Sequence, residues 1–249
     1  MSIHPSKREL RELRRAERIA SERAAAAAIA RRTRAFRLLA AAGLAAVLVA
    51  VAAVASSSGG QPATPVERSV LFSGIPERDG VLGDPDAPLT VTEYVDLQCP
   101  VCATAARETL PGLVRDYVRT GKAKLDVRTL HFIGPDSERA ARFAAGAERQ
   151  GRLWPFLEAF YAAQGQENSG YVTEQFLRSA AIAAGVDADA ALDFAGGAAA
   201  QERLNRANAD AQRLGIESTP TFTVGRGDGK PRVLYAQSVA AGLDRELAR

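Results

Sequence analysis

Hydrophobic and polar positions divide the chain into stretches that obey different periods. Residues 6–34 mix charges throughout, with Arg14–Arg18 and Arg18–Glu22 one turn apart, as on an exposed helix. Leu38 to Ala55 then runs eighteen residues without a charge: four Leu, four Val, nine Ala and one Gly. Ser56 to Pro65 is Ser/Gly/Pro-rich and without period, which predicts a linker. From Leu89 the period becomes two. Leu89-Thr-Val-Thr-Glu-Tyr-Val-Asp-Leu97 predicts a strand that runs directly into Gln98-Cys99-Pro100-Val101-Cys102. Ala103 to Arg119 turns helical, with Leu110, Leu113, Val114, Tyr117 and Val118 on one face. Pro100 suits the first helical turn, and Pro111 predicts a kink.

Lys122–Phe132 reads as a second strand, followed by a long helical block. Asp136 or Ser137 is expected to cap a helix ending near Gln150, and Pro155 to open another. Thr173 caps a third that stops at Gly185. Asp187 caps a fourth, broken at Gly196-Gly197, and a last helix runs to Leu214. Trp154, Phe156, Phe160 and Phe176 are assigned to the core. A strand follows Pro220, then Arg232–Tyr235 as a final strand and Val239–Ala248 as a closing helix. Roughly eighty helical residues between two strands of one sheet are too many for a crossover. They predict an inserted helical subdomain over about 136–214.

Charge refines the first stretch. The chain carries +3 in all, but residues 1–37 carry +7 and the remainder −4. Basic residues stop at Arg37, just before the apolar run. Eighteen residues are near the lower limit for a membrane-spanning helix. The positive-inside rule then gives a cytoplasmic segment at 1–37, a transmembrane helix at 38–55, a linker at 56–69 and an extracytoplasmic domain at 70–249. A cleaved signal peptide ending near Ala55 competes, because Ala53-Val54-Ala55 is a small-x-small site. Either way the body is exported. Its acidic balance removes the electrostatic basis for a nucleic-acid partner.

Two cysteines exclude a disulfide-dense scaffold. Strand, Cys-x-x-Cys, helix is one physical arrangement: Cys99 falls at a helix N-terminus, where free N–H groups and the helix dipole stabilise a thiolate. Cysteines three apart can close a disulfide, Cys99–Cys102. Cys99 is expected to be the outer, exposed nucleophile and Cys102 the partly covered resolving thiol. A purely structural disulfide is the plainer reading, but so small a loop constrains the unfolded chain little. A zinc site needs two more ligands, and His131 is the body's only histidine, assigned a structural place. No metal is expected. Downstream, Gly215-Ile-Glu-Ser-Thr219-Pro220-Thr-Phe222 ends a helix and begins a strand. A cis Thr219–Pro220 bond would suit it, with a plain trans turn as the alternative, and proline there argues for an edge or a bulge.

Together these residues resemble the DsbA family of thioredoxin-fold disulfide oxidoreductases, over residues 70–249. Phe72-Ser-Gly-Ile-Pro76 and Leu82-Gly-Asp-Pro-Asp-Ala-Pro88 look like the start of its exported actinobacterial members. The resemblance implies an α/β thioredoxin fold, a mixed central sheet flanked by helices, carrying the helical insertion and preceded by the transmembrane helix. It implies Cys99 as the attacking cysteine, Cys102 as its partner, Pro100 and Val101 as the loop between them and Pro220 as the cis-proline. Thr219 would dock substrate, and Glu93, six residues before Cys99, would relay protons to the inner cysteine; an outward-facing strand residue is the plainer reading of Glu93. No cofactor is implied. The partners implied are thiol-containing exported polypeptides and a quinone-linked membrane enzyme that reoxidises the pair. The chain departs from the strongest oxidants of the family by having Pro-Val, not Pro-His, between the cysteines. That leaves its potential anywhere between roughly −270 and −120 mV. Oxidation of substrate thiols is the expected direction. A reductase or isomerase, or a tethered peptide-binding chaperone module with a structural disulfide, are the alternatives.

Overall fold

The structure, a computed structural model, describes residues 70–227 and 229–249. The expected cytoplasmic segment, membrane helix and linker lie outside them. Among the described residues no helix is long and apolar enough to cross a membrane.

Glu77–Arg78 (β1) and Val81–Leu82 (β2) form a short antiparallel hairpin. Its turn is Asp79-Gly80, with φ of +50° and +80°, the left-handed pair that a two-residue hairpin requires. Leu89–Asp96 (β3) is an inner strand of a six-stranded sheet ordered β1-β2-β4-β3-β5-β6. It pairs in parallel with Ala123–Leu130 (β4) and antiparallel with Thr221–Arg226 (β5). Arg232–Leu234 (β6) closes the far edge against β5. The sheet is therefore mixed, as expected. β3 alternates in burial only at its start; Glu93 to Asp96 are all buried, as suits a strand covered on both faces.

Between β3 and β4 come Pro100–Glu108 (α1) and Leu110–Leu113 (α2), continued by a π turn at Val114–Val118. The break at Thr109 realises the kink expected of Pro111, whose ring meets the preceding turn and has no N–H to give. The π turn that follows closes with the Arg119 N–H on the Val114 carbonyl at 2.9 Å.

The helical block comprises Pro135–Glu148 (α3), Leu153–Ala162 (α4), Glu174–Ala184 (α5), Ala188–Gly196 (α6) and Ala198–Leu214 (α7). Thr173 and Asp187 cap α5 and α6, accepting from the N–H groups of Phe176 and Ala190, each at 3.1 Å. Gly185 and Gly215 end α5 and α7 in the left-handed conformation. Two boundaries differ from expectation. Asp136 and Ser137 do not cap α3: Gly134 precedes it, Pro135 opens it, and both side chains lie buried in its first turn. Likewise α4 starts at Leu153, two residues before Pro155, because Glu77 from β1 accepts from the Leu153 N–H at 2.6 Å. The block is centred on Phe143, Phe156 and Phe160, all fully buried with ring centroids 5.1 and 5.9 Å apart. α3 and α6 approach closely at Gly146, where a Cβ would lie 2.6 Å from the Ala191 carbonyl oxygen. Trp154 donates from Nε1 to the Gly80 carbonyl at 2.9 Å and so ties the block to the hairpin. Val239–Leu247 (α8) closes the chain.

Candidate active site

The parallel register of β3 and β4 brings Asp96 level with Leu130, so the loops after both strands leave the sheet at one end. Cys99 stands there as the residue before α1, with extended backbone (φ −69°, ψ 118°). Its N–H donates to the Asp96 carbonyl at 3.0 Å, and its carbonyl accepts from Ala103 at 3.2 Å as the first bond of the helix. Pro100 occupies the first turn without losing a bond. The Cys99 thiol donates to the Thr219 carbonyl at 3.5 Å, and the Thr219–Pro220 bond is cis. Pro220 needs neither edge nor bulge: β5 is an inner strand, but the proline stands just before its first residue and leaves the ladder intact.

Cys99 was expected to be exposed, and in this it differs: only 7% of it is accessible, because Thr219 lies against the sulfur. The exposed side chains of the motif are Pro100 and Val101. Cys102, one turn in, is wholly buried. Both thiols are free in the structure.

The two sulfurs are driven apart electrostatically. The Cys99 thiol falls from the ordinary 9.0 to about 6. The main cause is the hydrogen bond from Cys102; burial opposes it, while the Thr219 side chain and the N–H groups of Cys102 and Val101 add to it. Cys102 is pushed well above the ordinary range, first by burial, then by its bond to Cys99 and the charges of Cys99 and Glu93. One turn of helix therefore holds an acidic thiol and a resistant one.

Glu93 faces inward. It shares the face of β3 that carries Val91 and Val95, is 6% exposed, and is driven by burial from 4.5 to about 8. His131 is held by α7, its Nε2 2.9 Å from Asn208 Nδ2. Among the described residues no three His, Cys, Asp or Glu side chains group as a metal site.

Sequence reasoning missed two residues. Asp96 is wholly buried three positions before Cys99. Its carboxylate accepts from Ser137 Oγ at 2.7 Å, the Gln98 N–H at 2.9 Å and the Ile133 N–H at 3.1 Å. A carboxylate so supplied with donors is stable in the interior. Tyr161, from α4, donates to the Asp96 carbonyl at 3.4 Å. Its phenol is pushed well above the ordinary range, chiefly by burial and then by the nearby charges of Cys102 and Glu93. An aspartate closing the strand three residues before Cys99 was the available signal for Asp96. For Tyr161 there was none, since an aromatic on a helix reads as core.

The family model described as Thioredoxin matches residues 77–230. A Bacillus anthracis protein named "Probable disulfide bond formation protein D" is 27% identical over 172 residues, covering 68% of this chain and 78% of that protein. A Mycobacterium protein named Na(+)/H(+) antiporter NhaA 1 is 34% identical over 172 residues, and the match covers 66% of this chain and 26% of that protein. Among solved structures, oxidised BdbD from Bacillus subtilis superposes with a TM-score of 0.61 at 23% identity, covering 71% of this chain and 97% of that one, a likeness of fold. The chain belongs to the thioredoxin family, as a DsbA-like protein-disulfide oxidoreductase.

Proposed function

We propose that this chain oxidises the thiols of exported polypeptides through Cys99 and Cys102. The observation that carries the direction is the acidity of Cys99, at about 6. A thiolate stabilised in the dithiol form makes that form low in energy, and a pair whose reduced form is stabilised is an oxidant. The name of the Bacillus anthracis relative, a probable disulfide bond formation protein, points the same way.

In the oxidised enzyme Cys99 and Cys102 are joined. A substrate thiolate attacks the Cys99 sulfur, the Cys99–Cys102 bond breaks, and Cys102 leaves with the electron pair. Buried Glu93, half-protonated near pH 8, supplies the proton that Cys102 takes up. A second substrate thiolate then attacks the substrate sulfur of the mixed disulfide, and Cys99 leaves as the favoured thiolate. The substrate loses two electrons and the enzyme holds a dithiol. The Thr219 backbone beside the cis-proline docks the extended substrate chain. Val101 brings the Cys99 sulfur neither charge nor a side-chain hydrogen bond, so the donors around Cys99 in this chain set its acidity.

The oxidase works outside the cytoplasm, carried by a membrane helix at residues 38–55, and a quinone-linked membrane enzyme restores the disulfide. The uncharged run after a +7 segment supports that placement. Equilibration of the full chain with glutathione tests the direction. A potential well above roughly −180 mV is expected, and one near roughly −270 mV would make the protein a reductant.

A further inference from the structure

The corner where β3 ends and α1 begins is gripped by the helical block as well as by the sheet. Gln164, just past the end of α4, turns its side-chain amide onto this corner. Its Nε2 donates to the Leu97 carbonyl at 2.7 Å and to the Cys99 carbonyl at 3.2 Å. Gln98, between those two carbonyls, reaches the other way. Its Oε1 accepts from the Asn168 N–H at 2.7 Å, and its Nε2 donates to Ser137 Oγ at 3.1 Å. Asn168 also donates from Nδ2 to the Ile133 carbonyl at 3.2 Å. Gln164 and Asn168 thus clasp the redox loop and its neighbour after β4.

Within this clasp Gln164 is the member that touches the Cys99 peptide itself. One lone pair of the Cys99 carbonyl takes the Ala103 N–H that begins α1, and the second takes Gln164. The same amide holds the Leu97 carbonyl two residues earlier, so the peptide planes after Leu97 and after Cys99 are fixed by one planar group. The aim of the sulfur depends on those planes. With Cys99 in its extended conformation at the head of the helix, Sγ meets the Val101 and Cys102 N–H groups and the Thr219 side chain.

We infer that Gln164 is a positioning residue for thiol–disulfide exchange: an amide contributed by the helical block that fixes the backbone from which the Cys99 sulfur is aimed. The inference rests on the proposed role of Cys99 as the attacking thiol. It gives the insertion a part in the chemistry beyond packing.

The test uses the full-length reduced chain and the variants Gln164→Ala, Gln164→Glu and Gln166→Ala. Thiolate absorbance across pH, iodoacetamide alkylation at pH 7 and the thermal midpoint are measured on each. Gln164→Ala is expected to lower the acid dissociation constant of Cys99 about threefold to tenfold, the factor that one backbone hydrogen bond is worth, which shifts the titration upward and slows alkylation at pH 7 by no more than about twofold. Gln164→Glu keeps the size but sets a carboxylate against two carbonyls, so it shifts the titration further the same way. If Gln164→Ala fails to fold, Gln164→Glu decides. Gln166→Ala, exposed and two residues on, leaves the titration and the alkylation rate unchanged. A merely structural glutamine would lower the thermal midpoint and leave the titration in place. An acidic wild-type Cys99 that neither Gln164 variant moves, or that Gln166→Ala moves equally, overturns the inference alone. A wild-type Cys99 no more acidic than an ordinary thiol overturns the functional reading, and this inference with it.

Discussion

The α/β layer and the helical block inserted into it bury different kinds of side chain. β3 and β4 carry three buried carboxylates, Glu93, Asp96 and Asp126. The block is packed around rings, with Phe176 set edge-on to Phe160 at 5.0 Å, and its buried carboxylate, Asp136, lies in the first turn of α3. Burying ionisable groups is costly unless they are hydrogen-bonded or used. Asp96 is hydrogen-bonded by the loops it joins. Glu93 has burial as its one resolved influence, and its charge is felt at Cys102, as the proposed proton transfer requires. The comparison teaches that the layer accepts polar strain where the thiols are, while the block supplies apolar mass and a few amides that reach across.

The largest test of that division is at the thiols. Cys99→Ser is expected to abolish oxidation of a reduced two-cysteine peptide, whereas Cys102→Ser, its Cys99 first loaded as the mixed disulfide with glutathione, exchanges glutathione for a single-cysteine peptide and holds the new mixed disulfide, visible by mass. Next comes the block's centre. Phe156→Ala should cost about 3–5 kcal/mol in urea denaturation and leave the Cys99 titration of the folded fraction unchanged. A shift in that titration would mean the two regions are coupled through the core as well as through Gln164.

The third effect is a pH dependence. The Glu93 carboxyl lies at about 8 in the fold against an ordinary 4.5. Between those values the folded state holds a proton that the unfolded chain has released, so stability falls as pH rises through that window. Glu93→Gln should flatten this slope and stabilise the protein above pH 8, measured as urea midpoints across pH. The smallest effect is expected at a cap in the block: Thr173→Ala removes the acceptor for the Phe176 N–H and should cost about 1 kcal/mol, with no change in redox behaviour.

The two regions also differ in how much of them could be read from sequence. Strand β3, the Cys-x-x-Cys turn and the strand after Pro220 carry local signals, because period-two alternation and proline placement act over a few residues. The caps Thr173 and Asp187 and the stops Gly185 and Gly215 act equally locally, and the structure has them where the sequence placed them. The hairpin β1–β2 was missed although Asp79-Gly80 announces it; strands of two residues have no periodicity to find. Gln164 and Tyr161 were illegible for another reason. Each meets the redox loop across some 65 residues of chain, and an exposed-looking glutamine or a helix-borne tyrosine carries no mark of its distant partner. The α3 cap was misread because Asp136 and Ser137 have the right chemistry for capping, and Ser137 is used instead to hold Asp96.

The central claim is that one sulfur of the pair is ionised at neutral pH and the other is not. Thiolate absorbance of the fully reduced chain, titrated alongside Cys99→Ser, tests it most directly. The account predicts one thiolate per molecule at pH 7, appearing with a midpoint near the value of about 6 given to Cys99 and absent from Cys99→Ser. No thiolate below pH 8, or a neutral-pH thiolate that survives in Cys99→Ser, would contradict it.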